Sequence, residues 1–146
     1  MNYSIYKNTY SDPNTYIKTM MPVLFEDKRY DAIALWDTAA TRTHISNKII
    51  EMFNLKPVGI QEAIAHRNKE LLNEYKVMLI LPTGTYIHDI NVLSGSYDKG
   101  GFDVVVGMDI IRTGDLHMDY LKDKPIFTFK HPNDCDEDIF IETELF

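Results

Sequence analysis

The chain has 146 residues, enough to bury one real core, and its 45% hydrophobic, 12% aromatic and 25% charged composition is that of a single globular domain, not of a disordered, fibrous or membrane chain. With 15 Lys and Arg against 22 Asp and Glu, the net charge of −7 argues against DNA, RNA or an anionic membrane surface as partner. The one cysteine, Cys135, cannot close an intramolecular disulfide, no apolar run approaches the roughly 18 residues that span a bilayer, and Met1 to Ser11 is polar and tyrosine-rich without an export signal; a cytoplasmic location is expected.

Turn signals recur about every ten residues, and the runs between them have the length and β-branched content of strands, which predicts a mostly-β domain. Residues 1–15 read as an N-terminal extension or edge strand, 16–130 as the domain proper and 131–146 as an acidic tail. In chain order the predicted strands are Tyr16 to Phe25 and Asp31 to Trp36, the second a nearly continuous apolar run expected to be buried on both faces. It delivers Asp37 to a turn of small and hydroxylated residues. Such an aspartate is either an Asx-turn residue or a functional carboxylate, and this stretch alone does not choose. Arg42 and His44, which follow, read as a charged surface residue and a turn histidine.

A short helix is predicted over Asn47 to Phe53, with Ser46 as its N-cap and Ile49, Ile50 and Phe53 on one side. The segment Ile60 to Glu74 has two readings, a hairpin or a short amphipathic helix. Strands follow at Glu74 to Leu81 and Thr85 to Leu93, joined by a Pro82-Thr83-Gly84 turn, and Ser94 to Gly101 is expected to be a surface loop. Asp103 to Val106 is a further apolar strand before a helical turn over Met108 to Arg112, and Ile126 to Lys130 is the last strand. No repeat at a fixed period is present.

Asp103 to Ile111, D-V-V-V-G-M-D-I-I, repeats the layout of the Asp37 stretch: an apolar strand, a small residue, a helical turn. Leu35 to Thr41, L-W-D-T-A-A-T, resembles the strand and Asp-Thr/Ser-Gly-Ala motif of retroviral-type, single-lobed aspartic proteases, including bacterial members. Val105 to Ile111, V-V-G-M-D-I-I, resembles that family's second motif, and about 70 residues separate the two, with a hairpin-like region between. The resemblance extends over roughly Lys18 to Lys130.

The resemblance implies a single-lobed acid-protease-like β-barrel with one or two short helices, acting as a two-fold symmetric homodimer on a peptide or protein substrate. Hydrolysis by carboxylates needs two of them around one water, and the chain supplies one, Asp37, so its partner subunit supplies the other. Thr38 is then expected to reach the partner's loop, against a local turn hydrogen bond as the alternative. Ala39 stands where the family has glycine, a cost on the order of 1 kcal/mol if the backbone there is left-handed, and its methyl adds bulk to the site. Ala40 carries no hydroxyl to donate to Asp37. Val105, Val106 and Gly107 are expected to form the second loop, and Ala65, His66, Arg67 and Asn68 the tip of a flap, with Asn68 best suited to a positive φ. A non-catalytic dimer that keeps the cleft as a peptide- or protein-binding module is the alternative, and a self-processing protease a third reading.

Other chemistries lack their residues. The five histidines lie at least 13 residues apart, so no zinc-ligating pair exists; D-C-D-E-D at Asp134 starts like a calcium loop but has Ile139 and Leu145 where glycine and glutamate are needed. Cys135 has no evident base, and no phosphate-cradling glycine motif occurs. No cofactor or metal is expected.

Overall fold

The computed structural model describes residues 1–65, 67–95 and 100–146. Its strands are β1 (Asn2–Thr9), β2 (Lys18–Phe25), β3 (Lys28–Trp36), β4 (His44–Ser46), β5 (Gly59–Ala65), β6 (Asn68–Ile80), β7 (Tyr86–Gly95), β8 (Val104–Val106), β9 (Asp115–Asp119), β10 (Ile126–Asn133) and β11 (Ile139–Thr143), with helices α1 (Asn47–Phe53) and α2 (Met108–Ile111). The mostly-β expectation holds. One sheet runs β2-β3-β8-β4-β7-β6-β5, and a second contact between β2 and β6, Val23 opposite Leu79 and Leu24 opposite Met78, closes six of these strands into a barrel. β5 pairs outward from β6 as the free arm of a hairpin. The second sheet, β11-β1-β10-β9, has four strands.

Alternation builds the core, since successive side chains in a strand point to opposite faces. β2 turns Thr19, Met21 and Val23 inward, β3 turns Ala32, Ala34 and Trp36, and β6 turns Tyr75, Val77 and Leu79. Ile33 and Leu35 are only half buried, so β3 is not buried on both faces as its composition suggested. The two sheets meet on aromatics: the Trp36 ring lies 5.1 Å from Phe127 and 4.9 Å from Phe129, and Tyr6 packs edge-on against Phe127. The buried Trp36 indole N–H donates to Thr19 Oγ1 at 2.9 Å. Tyr10, fully buried, donates its hydroxyl to the Lys18 carbonyl at 2.6 Å, and burial pushes its phenol up to about 12.

Three strands have no counterpart in the sequence-based reading, β4, β9 and β11, and β1 has a different place from the one expected. β1 is an interior strand between β11 and β10, not an edge strand. Its inward residues are Ser4, Tyr6 and Asn8, so the apolar-polar alternation that marks a half-buried strand is hidden. Asn8 is buried because it binds the chain's end, donating to the Leu145 carbonyl and accepting from Thr143 Oγ1 and the Leu145 N–H. Residues 139–143 are therefore a paired strand, and the exposed acidic run from Asp134 to Asp138 connects it to β10.

The helix α1 has its predicted bounds and buries Ile49 and Phe53. Ser46 occupies the N-cap position without capping; its hydroxyl donates to Asp103 Oδ1 at 3.0 Å instead, tying the helix start to the strand beside it. Asn54, in the left-handed conformation at φ 51°, ends the helix. The Pro82-Thr83-Gly84 turn joins β6 to β7, with Gly84 at φ 83° and its N–H on the Leu81 carbonyl at 2.8 Å. β7 reaches Gly95, two residues into the predicted Ser94–Gly101 loop, and positions 96–99 of that loop lie outside the described residues.

Candidate active site

β3 and β8 lie side by side and parallel, Leu35 opposite Val105 and Trp36 opposite Val106. The two motif strands are thus direct neighbours, and the Asp37 N–H extends their ladder by donating to the Val106 carbonyl at 3.0 Å. Beyond it the chain turns sharply. The Ala39 N–H donates to Asp37 Oδ1 at 2.9 Å and the Ala40 N–H to the Asp37 carbonyl at 3.2 Å. This is an Asx-turn, and it leaves the half-exposed carboxylate at a cleft with no donor on its other oxygen among the described residues. The turn reading and the functional reading of Asp37 are therefore compatible: one oxygen holds the loop, the other faces open space.

The second loop locks onto the first. Met108 and Asp109 donate their N–H groups to the carbonyls of Ala40 and Thr41 at 2.8 and 3.2 Å. The buried Thr43 donates its backbone N–H and hydroxyl to the two oxygens of Asp109, at 2.9 and 2.7 Å, and its Oγ1 accepts from the Gly107 N–H at 3.2 Å. A Cβ on Gly107 would lie 2.5 Å from the Arg42 carbonyl carbon and oxygen, closer than such atoms approach. Glycine stands there because the two loops touch backbone to backbone.

Arg42 is not the surface residue its position suggested. Its guanidinium donates to Glu74 Oε2 at 2.9 Å and to the Asn91 carbonyl at 3.0 Å, and lies 4.0 Å from Asp109. Glu74 is buried, and its charge is met there by the Arg42 guanidinium and by the Asn91 side-chain amide, which donates to Oε1 at 3.4 Å. Sequence reading missed Glu74 and Asp109; Asp109 lies inside the second motif, but nothing marked Glu74. His44 sits in β4, not in a turn, and burial lowers its imidazole below the usual range, against a hydrogen bond to the Arg42 backbone and the carboxylates of Asp109 and Asp37.

Above these loops is a cleft of about 1180 Å³. Asp37, Ala39, Ala40 and Val105 line one side, and Gln61, Ala63, Glu70 and Leu72 of the β5–β6 hairpin line the other. Ile60 to Glu74 is thus a hairpin, not a helix, because antiparallel pairing from Gly59 opposite Glu74 to Ala65 opposite Asn68 satisfies its backbone. At the tip Arg67, at φ 69°, takes the left-handed conformation expected of Asn68, which is occupied in the ladder; His66 lies outside the described residues. Val106 and Gly107 are buried beneath the loops and do not reach the cleft surface.

Ala39 is exposed, lines the cleft and has no positive φ, so alanine carries none of the left-handed penalty, and only its methyl differs from glycine. Thr38 is exposed and its hydroxyl has no partner among the described residues, the local turn bond being made by Asp37 instead. A second cavity of about 630 Å³, lined by residues such as Phe53, Leu55, Val77 and Met78, shares no residue with the cleft. Among the described residues no three His, Cys, Asp or Glu side chains are grouped to hold a metal ion, and no helix is long and apolar enough to cross a membrane.

No family model matches the sequence, and no curated protein matches it. Solved structures do. The chain is similar to a retropepsin-like aspartic protease from Rickettsia conorii, with a TM-score of 0.57 and 11% identity over 90% of this chain and 95% of that one. A simian foamy virus (mac) protease matches at a TM-score of 0.45 and 14% identity, over 64% of this chain and 92% of that one. The first likeness extends over nearly the whole of both chains and is one of fold: the chain has a retropepsin-like fold.

Proposed function

We propose that the chain is an aspartic endopeptidase that works as a two-fold homodimer, hydrolysing a peptide bond with a water held between Asp37 of each subunit. The observation that supports this reading is the locked pair of loops that holds one Asp37 oxygen in an Asx-turn and leaves the other free at the floor of a hairpin-covered cleft. Two carboxylates at close approach share one proton, because both cannot ionise there. The ionised one takes a proton from the water as its oxygen attacks the carbonyl carbon. The protonated one gives its proton to the carbonyl oxygen, and the tetrahedral adduct then breaks its C–N bond with a proton passing to the amine nitrogen. An extended substrate would add its backbone hydrogen bonds to the β5–β6 hairpin, which serves as the flap, and Thr38 would bond the partner's loop across the axis.

Asp37→Asn should reduce cleavage by about 10³-fold or more while leaving the mass measured by light scattering and the unfolding midpoint unchanged. A variant that still cleaves, or a protein monomeric at every concentration with substrate present, overturns this mechanism. The Ala39 methyl in the cleft favours a second reading, a peptide-binding module with lost turnover. Ala39→Gly separates the two: a many-fold gain in cleavage marks an enzyme slowed by the methyl, and absence of cleavage in both forms marks the binder.

A further inference from the structure

Of the charged side chains that line the cleft, most are already engaged. Arg42 is held by Glu74, the Asn91 carbonyl and Asp109, and Glu62 pairs with Lys69 at 3.6 Å. Asp37 holds its own turn. Glu70 differs: it is exposed, lines the cleft from the hairpin, and has no cationic partner among the described residues. The ladder sets it opposite Ala63, whose methyl leaves room beside it, and on the same face as Leu72 and Gln61. Leu35, Leu93, Phe102 and Val105 supply apolar lining to the same cleft. A carboxylate set among apolar side chains matches a long basic side chain, whose aliphatic stem covers the apolar surface while its charged head meets the carboxylate.

We infer that Glu70 is a specificity residue that selects peptides carrying Lys or Arg next to the strand of substrate lying under the hairpin. This deepens the proposed function and takes from it the cleft as the peptide site. In a two-fold dimer Glu70 is present twice, so the preference for a basic residue falls on both sides of the cleaved bond. The net charge of −7 on each chain reinforces the selection at low salt and not at high salt.

The test uses the full chain carrying Asp37→Asn, so that binding is read without turnover. Fluorescein-labelled peptide pools of uncharged residues, with Lys, norleucine or Glu fixed at one position, are titrated by anisotropy. Norleucine keeps the stem of lysine and lacks its charge. The Lys pool should bind about tenfold tighter than the norleucine pool, Glu70→Gln should bring that ratio near one, and Glu70→Lys should turn the preference to the Glu pool. A ratio unchanged by Glu70→Gln, equal binding of the pools to the parent, or no binding of any pool overturns the inference. Cleavage by the chain with Asp37 intact is scored separately. Charge-dependent binding without cleavage keeps the Glu70 assignment and removes the enzyme, whereas cleavage with no basic preference does the reverse.

Discussion

At the floor of the cleft, six hydrogen bonds tie Asp37, Ala40, Thr41 and Thr43 to residues 106–109, and the strands beneath them, β3, β4 and β8, are neighbours in one closed barrel. The roof is the β5–β6 hairpin, held by its own ladder, with Ile60, Ile64 and Leu71 exposed at 65%, 76% and 75%. Both regions are hydrogen-bonded, but only the floor buries what it bonds. Local opening is cheapest where few buried contacts are lost, so the roof is expected to open before the floor. The Arg42–Glu74 pair stands where the two regions meet, at the root of the hairpin.

The largest expected effect comes from breaking the floor. Gly107→Ala sets a methyl against the Arg42 backbone at 2.5 Å, and neither loop can retreat without losing its bonds to the other. Destabilisation of about 3 kcal/mol is expected, at the upper end of what overpacking costs. Urea unfolding measures it; a midpoint equal to that of the parent would show that the loops yield and are not locked.

At the root, Arg42→Met keeps the stem and removes the charge, leaving Glu74 buried without its cationic partner. The expected loss is about 2 kcal/mol. Pairing it with Glu74→Gln in a double-mutant cycle isolates the ion pair from the packing of the stem: a coupling near zero would show that the pair does not tie the root of the hairpin to the floor.

The floor also predicts a pH dependence. Burial holds the folded-state pKa of His44 below its unfolded value, so in acid the unfolded chain binds a proton that the folded chain refuses. The stability that neutral His44 permits is fully present above about pH 6.5, its unfolded pKa, and is lost as pH falls below that toward the lowered folded value. An NMR titration of the His44 ring should give a midpoint below 6.5, and His44→Gln should flatten the slope of unfolding free energy against pH below 6.5. A midpoint at or above 6.5 would remove His44 from the buried floor.

The floor was more legible in the sequence than the roof, for physical reasons. Asp37 and Gly107 end apolar strands, and a charged or small residue at such an end is visible against the run before it. The links between them were not: Thr43, Asp109, Arg42 and Glu74 are polar residues scattered between positions 42 and 109, brought together by pairing of strands distant in the chain. β1 escaped because its inward face includes Ser4 and Asn8, polar groups satisfied by residues more than 120 positions away. In the hairpin, Leu71 and Leu72 sit side by side, one outward and one toward the cleft, which blurs the period of two and kept a helix in play.

The smallest effect is expected on the outer face of the roof. Ile60→Ser and Leu71→Ser remove side chains that are mostly exposed and do not line the cleft, and exposed substitutions shift stability by no more than about 0.5 kcal/mol. Tenfold changes in protein concentration test this further, since a side chain covered in a dimer contributes through association and its loss shows as a concentration-dependent midpoint. If the two variants unfold like the parent at every concentration, the outer face of the hairpin is free and the contrast with the floor stands. If either loses more than about 1 kcal/mol at high concentration and nothing at low, a second chain covers that face, and the roof owes its position to the dimer and not to its own ladder.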